Sequence, residues 1–190
     1  MSTSHQEDPV VPYHEVFYIL SLQFCTESAL ASADAVAACL QQIKIGKSNV
    51  DTLAILDQLQ NFINQAGAIS RFFWPADKKY ESRGKALRTA YSITDESPLK
   101  SRQLRNLVEH YDEYLDDFLK TASAGVFTPH YIGPTPKHDG VPRHYFKAYY
   151  FDQGIFEVLG RQFQLQPILD EVGTLHDALC SAQGGRFPRK

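Results

Sequence analysis

From His14 to Trp74 the apolar residues recur every three to four positions with a single break, and no other feature of the chain restricts its fold as much. Val16, Ile19, Leu20, Phe24, Ala29, Leu30, Ala33, Val36, Ala37 and Leu40 follow helical spacing. The alanines among them favour helix and allow close approach of a neighbour. Gly46 in IKIGKSN ends this first helix, and Ser48 or Asn49 is placed to cap the next. A second helix carries Val50, Leu53, Ile55, Leu56, Leu59, Phe62, Ile63, Ala66 and Ile69 as far as Phe73 and Trp74, where Pro75 forbids continuation. The bulky ISRFFWP at that end reads as a plug in the core.

Residues 81–92 predict a shorter third helix with Gly84 inside it. Ser97 followed by Pro98 predicts a capped start, and a fourth helix then runs to about Ala122, its stripe formed by Leu104, Leu107, Val108, Tyr111, Leu115, Phe118 and Leu119. The character changes after that. Gly125 to Pro142 contains four prolines and reads as a long loop. The aromatic run RHYFKAYYF, then Asp152-Gln153-Gly154 and IFEVLG, predicts a β-hairpin. A last helix starts near Gln166-Pro167, with Ile168, Leu169, Val172, Leu175 and Leu179 on its core side. The expected fold is mainly α: a four-helix up-and-down bundle with a β-hairpin insertion and a C-terminal helix. Its parts are a flexible N-terminal segment at 1–13, a helical bundle at 14–122, and a loop, hairpin and helix packed on the bundle at 123–190.

At 190 residues the chain can bury a sizeable core as one domain. No apolar run is expected to reach the roughly 18 residues of a membrane span, and the N-terminus lacks a basic-plus-apolar signal pattern. Cys25, Cys39 and Cys180 lie far apart in helical patterns and read as reduced, buried residues, which suits the cytoplasm. A net charge of −3 excludes a general nucleic-acid coat but allows a local basic patch.

The fourth helix carries the chemistry. RNLVEH places Arg105, Asn106, Glu109 and His110 outside the apolar stripe, with Arg105 and His110 about 140° apart around a straight helix. Asn106 and His110 form one i,i+4 pair, Arg105 and Glu109 the other. One helix alone does not easily close an arginine and a histidine so separated onto one small group, whereas two copies around a two-fold axis could.

This motif resembles the signature of the HEPN superfamily (higher eukaryotes and prokaryotes nucleotide-binding domain): Arg, a polar residue, three residues, then His, late in a four-helix bundle. ISRFFWP, RGKALR and SPLKSRQLRNLVEHYDEYLDDF are similar to the surroundings of the motif in a group of bacterial HEPN-like proteins. The resemblance covers roughly residues 15–122. It implies a homodimer that cleaves single-stranded RNA without a metal or cofactor. His110 would be the acid or base at the ribose 2′-hydroxyl, Arg105 the stabiliser of phosphate charge, and Asn106 the orienting residue. It implies a defence or toxin–antitoxin setting with an antitoxin or regulatory partner. One departure matters: a toxin branch has a tyrosine two residues after the histidine, where this chain has Asp112.

Lys78, Lys79, Arg83, Lys85, Arg88, Lys100, Arg102 and Arg105 stand against three acids over residues 78–105, and Arg83, Arg88, Lys100 and Arg102 are the expected RNA contacts. Glu109, Asp112, Glu113, Asp116 and Asp117 repel phosphate just beyond. The plain alternative is an Arg105–Glu109 surface pair beside a solvated His110, in a catalytically silent, dimeric binding or scaffold protein. His130, His138, Asp139 and His144 match no compact zinc spacing. Tyr145, Phe146, Tyr149, Tyr150 and Phe151 could stack bases, but hairpin faces packing on a bundle account for them.

Overall fold

The computed structural model describes residues 10–46, 51–121, 124–137 and 140–188. Among the described residues the chain is mainly helical, with six α-helices and one four-stranded sheet. A 3₁₀ turn at Pro12–His14 leads into α1 (Glu15–Lys44). Val10 is buried, so the described end of the expected flexible segment is anchored; residues 1–9 lie outside the described residues.

α1 and α2 (Thr52–Phe73) pair along their length and supply the centre of the core, from Ile19, Leu22, Ala29 and Val36 on one side to Ile55, Leu59, Phe62, Ile63 and Phe73 on the other. Ser48 and Asn49 lie outside the described residues. The cap of α2 is Asp51, whose carboxylate accepts from the Leu53 and Ala54 amides at 2.9 and 3.1 Å. Contrary to expectation, one helix, Pro12–Lys44, is long and apolar enough to cross a membrane by length and composition. Core packing accounts for the third of its apolar window that is buried. Its other face exposes Tyr13, Phe17, Leu20 and Phe24.

α3 (Glu81–Tyr91) folds back over the end of α2, with backbone so close that a Cβ on Gly84 would lie 2.6 Å from the Phe73 carbonyl oxygen. Ser97 caps only a 3₁₀ turn, Pro98–Lys100. Extended backbone at Ser101 separates that turn from α4 (Arg102–Glu109). Leu104 and Leu107 bury α4 against α2, where the absence of a side chain at Gly67 admits the Leu104 backbone.

The expected single fourth helix is bent. His110 leaves helical geometry at φ −128°, ψ 36°, and α5 (Tyr111–Thr121) sets off in a new direction. The hydrogen-bond ladder survives, His110 N–H to the Asn106 carbonyl and Tyr114 N–H to the His110 carbonyl. Neither proline nor glycine causes the bend. Its cause is tertiary: Leu104 and Leu107 face α2, whereas Tyr114 packs beneath the Arg161 guanidinium at 3.4 Å and Phe118 lies beside His144. Leu119, expected on the stripe, is exposed.

The expected loop after Gly125 contains strand β1 (Val126–Gly133). It runs parallel to β2 (Arg143–Tyr150), which pairs antiparallel with β3 (Ile155–Val158) as the hairpin reading requires, and β3 pairs with β4 (Arg161–Gln164). Proline fits the first strand because it lies at an edge of the β1-β2-β3-β4 order, where a missing N–H is tolerated. Leu159 and Gly160, both at positive φ, turn β3 into β4. Ile132, Tyr149, Phe156 and Phe163 form one row across the four strands and face the helical core. α6 (Leu165–Cys180) closes that core against α1 with Ile168, Val172, Leu175 and Leu179.

Candidate functional site

The ISRFFWP end of α2 organises the basic residues. A helix ends with carbonyls that lack amide partners, and here three arginines serve them. Arg83 Nη2 donates to the Arg71 carbonyl at 3.2 Å, Arg88 Nη1 to the Phe73 carbonyl, and Arg105 Nη1 to the Trp74 carbonyl at 2.7 Å. Cations at a helix C-terminus are also favoured by its dipole. The same side chains cover aromatic rings: Arg83 lies 5.4 Å from the Tyr80 centroid and Arg88 5.6 Å from that of Trp74. Arg83 and Arg88, expected as RNA contacts, therefore spend donors inside the fold.

Arg105 has donors left over. It lines an open cleft of about 520 Å³ with Trp74, Pro75, Glu81, Lys100, Ser101 and Arg102. Three cations thus converge where α4 begins, and Ser101 gives that helix end no side-chain cap. The first-turn amides of α4 add to the positive potential. Burial first, and the like charge of Arg102 second, hold the Arg105 guanidinium below its ordinary range, against the pull of Glu109. Lys100 is half-spent on Asp95 at 3.0 Å, and that contact holds the Asp95 carboxyl below the usual carboxylate range. Arg102 is exposed on the first turn.

His110 stands apart from this cleft. Its Nδ1 lies 3.3 Å from Glu113 and its Nε2 3.9 Å from Glu109, in partial exposure. Asn106 is bound to it through the backbone, its carbonyl accepting the His110 amide at 2.8 Å. The expected Arg105–Glu109 pair is replaced by Arg71–Glu109 at 2.9 Å, because Arg105 is drawn inward to Trp74. The angle of 140° assumed a straight helix and lapses with the bend at His110. In one chain, the structure brings Arg105, Arg102 and Lys100 together and leaves His110 and Asn106 outside their cleft.

Among the described residues no group of three or more His, Cys, Asp or Glu is placed to hold a metal ion. His138 and Asp139 lie outside the described residues. His130 and His144 pair with Lys147 and Phe127 on neighbouring strands.

Two polar groups went unread in the sequence. On the sheet face away from the helices, Tyr131, Ala148, Glu157 and Gln162 form one row across the strands. The buried Glu157 carboxylate accepts from the Tyr150 hydroxyl at 3.0 Å and the Gln162 amide at 2.8 Å. Burial, then the negative charge of Glu157, pushes the Tyr150 phenol far up. The signal was a lone carboxylate inside an apolar strand, IFEV. The second group joins Thr26, His176 and Cys180. Cys180 is exposed, contrary to expectation, and Cys25 and Cys39 are only half-buried.

The chain matches no model of a known protein family, no curated protein and no solved structure.

Proposed function

We propose that this chain is a HEPN-like, metal-independent endoribonuclease whose site is completed when two copies meet. The proposal takes α1 to α4 as the bundle of that superfamily. One observation supports it above the others: the motif arginine sits in a three-cation cleft at a helix start, while the motif histidine is half-exposed at a bend outside it. A phosphodiester held by Lys100, Arg102 and Arg105 would present its ribose to the His110 of a second copy. That imidazole takes the 2′-hydroxyl proton, the 2′-oxygen attacks phosphorus, and the 5′-oxygen leaves as a hydroxyl with a proton drawn from water, giving a 2′,3′-cyclic phosphate. The arginine stabilises the charge gathering on the phosphate oxygens. A cytoplasmic defence or toxin role, restrained by a partner protein, belongs to the same proposal.

The test is cleavage of single-stranded RNA in the presence of a metal chelator. Arg105→Lys and His110→Gln should each lower the rate by about a hundredfold or more. Mixing the two inactive variants should restore roughly a quarter of the activity, since mixed dimers hold one intact site of two. Two variants that each retain wild-type cutting would overturn the assignment.

A second reading is favoured by the exposed stripe along α1 and the turn before it. Tyr13, Phe17, Leu20 and Phe24 recur at steps of four, three and four, the spacing of a helix-pairing seam. A second copy laid along α1 would give a dimer held by this stripe rather than by the RNLVEH helix, that is, a silent scaffold. Phe17→Glu with Phe24→Glu should then yield monomers on a sizing column, with no change in RNA turnover.

A further inference from the structure

The last turn of α6 places an exposed thiol against an imidazole that another helix holds. Cys180 Sγ lies 3.4 Å from His176 Nε2, and His176 Nδ1 lies 3.0 Å from Thr26 Oγ1 on α1. Residues four apart on a helix meet by geometry alone, so the thiol–imidazole contact by itself says little. Thr26 changes that. It is fully buried, and its one hydroxyl proton goes to the Gln23 carbonyl at 3.0 Å. Donating to Gln23, Thr26 is an acceptor toward His176, and the neutral imidazole that fits this pairing carries its proton on Nδ1. Nε2 is left as a lone pair facing the Cys180 thiol. A nucleophile, a base beside it and a third group fixing the tautomer of the base are the parts that activate a nucleophilic side chain.

We infer that Cys180 is a reactive thiol, open to reversible modification by small disulfides, with His176 as its proton acceptor and Thr26 as the residue that positions His176. The thiol proton passes to Nε2. The thiolate attacks one sulfur of the disulfide. A protein–small-molecule disulfide forms as the original S–S bond breaks, and the departing thiolate takes the proton from the imidazolium. One disulfide and one thiol enter; one disulfide and one thiol leave. Cys25 and Cys39 provide internal references: both are half-buried, and burial pushes the Cys25 thiol up.

The experiment treats the full chain with oxidised glutathione and follows each cysteine by peptide mass spectrometry. Cys180 should be modified first, at least about tenfold faster than Cys25 or Cys39. His176→Gln and Thr26→Val should each slow Cys180 severalfold and leave the other two rates unchanged. Thr26→Ser, which keeps the hydroxyl, should restore the wild-type rate; a packing role alone predicts no such rescue. Equal Cys180 rates in wild type and His176→Gln would overturn the inference, as would Cys25 or Cys39 reacting first. Should Thr26→Val fail to fold, the partly exposed His176 position still decides the matter.

Discussion

Arg105 and His110 begin and end the same six residues, yet they occupy opposite kinds of site. The arginine end is closed on its core side, while its outer side opens on the cleft. Arg83, Arg88 and Arg105 seal the carbonyls of α2, with Phe73 and Trp74 buried beneath them. The histidine end is open, at a bend among exposed acids, in front of a helix with no fully buried residue. Charged residues that look alike as a pattern thus divide into those that hold the fold and those that solvent can reach. A basic stretch is a nucleic-acid surface only where its donors remain unspent.

The largest effect expected from this contrast is at Gly84. A Cβ there would stand 2.6 Å from the Phe73 carbonyl oxygen and 2.7 Å from Pro75 Cδ, neither of which can move without shifting α2 or its end. Gly84→Val should cost about 3 kcal/mol by overpacking. Asp112→Ala, two residues past His110 and exposed, should stay within about 0.5 kcal/mol. Urea unfolding midpoints at constant slope measure both, and a tolerant Gly84 would mean that the arginine end is not closed.

Next comes a pH window from the same closed end. Tyr91 packs edge-on against Phe73 and Phe187, and burial first, then the charge of Glu15, pushes its phenol up to about 12. The unfolded value is about 10. A group whose folded value is raised gives stability that is intact below the unfolded value and lost as pH climbs through the folded one. Stability should therefore fall between about pH 10 and 12, by on the order of 2–3 kcal/mol for a two-unit shift. Tyr111, Tyr145, Tyr149 and Tyr150 are pushed up as well, so the readout is wild type against Tyr91→Phe. Equal alkaline losses in the two proteins would remove Tyr91 from the account.

The motif itself gives the third. Arg105→Met leaves the Trp74 carbonyl without its charged donor and should cost about 1–2 kcal/mol. His110→Gln should be neutral within about 0.5 kcal/mol. Thermal unfolding of the pair tests the division directly, since a costly His110 variant would make both ends structural.

The parts of this arrangement that follow local rules were readable in the sequence. Gly46, Pro75 and the apolar periods of α1, α2 and α6 bound those helices by propensity and sterics alone. The bend at His110 was not readable, because no residue at 109–111 breaks a helix; Arg161, fifty residues on, draws Tyr114 aside. β1 was hidden for a related reason: its proline and glycine are turn signals, and an edge strand tolerates them. Arg105, Asn106 and His110 could be picked out, but the partner of Arg105 is a backbone carbonyl, which no side-chain pattern announces. Glu109 was assigned the nearer arginine by spacing, whereas Arg71 on α2 holds it.

That exchange of partners yields the smallest effect on stability and the finest test of the contrast. The Arg71 and Glu109 side chains are 39% and 38% exposed, so their 2.9 Å pair is screened and worth well under about 1 kcal/mol. Glu109→Gln should leave thermal stability almost unchanged. On the proposed RNA path its effect should be larger, because it removes a carboxylate beside His110 and releases Arg71 at the border between the closed and open ends. RNA affinity should rise at low salt, and the slope of log affinity against log salt should steepen by up to about one phosphate contact. An unchanged slope would mean that the RNA path stops at the Arg105 cleft and never reaches the histidine end. A steeper one would place both ends of RNLVEH along a single strand of RNA.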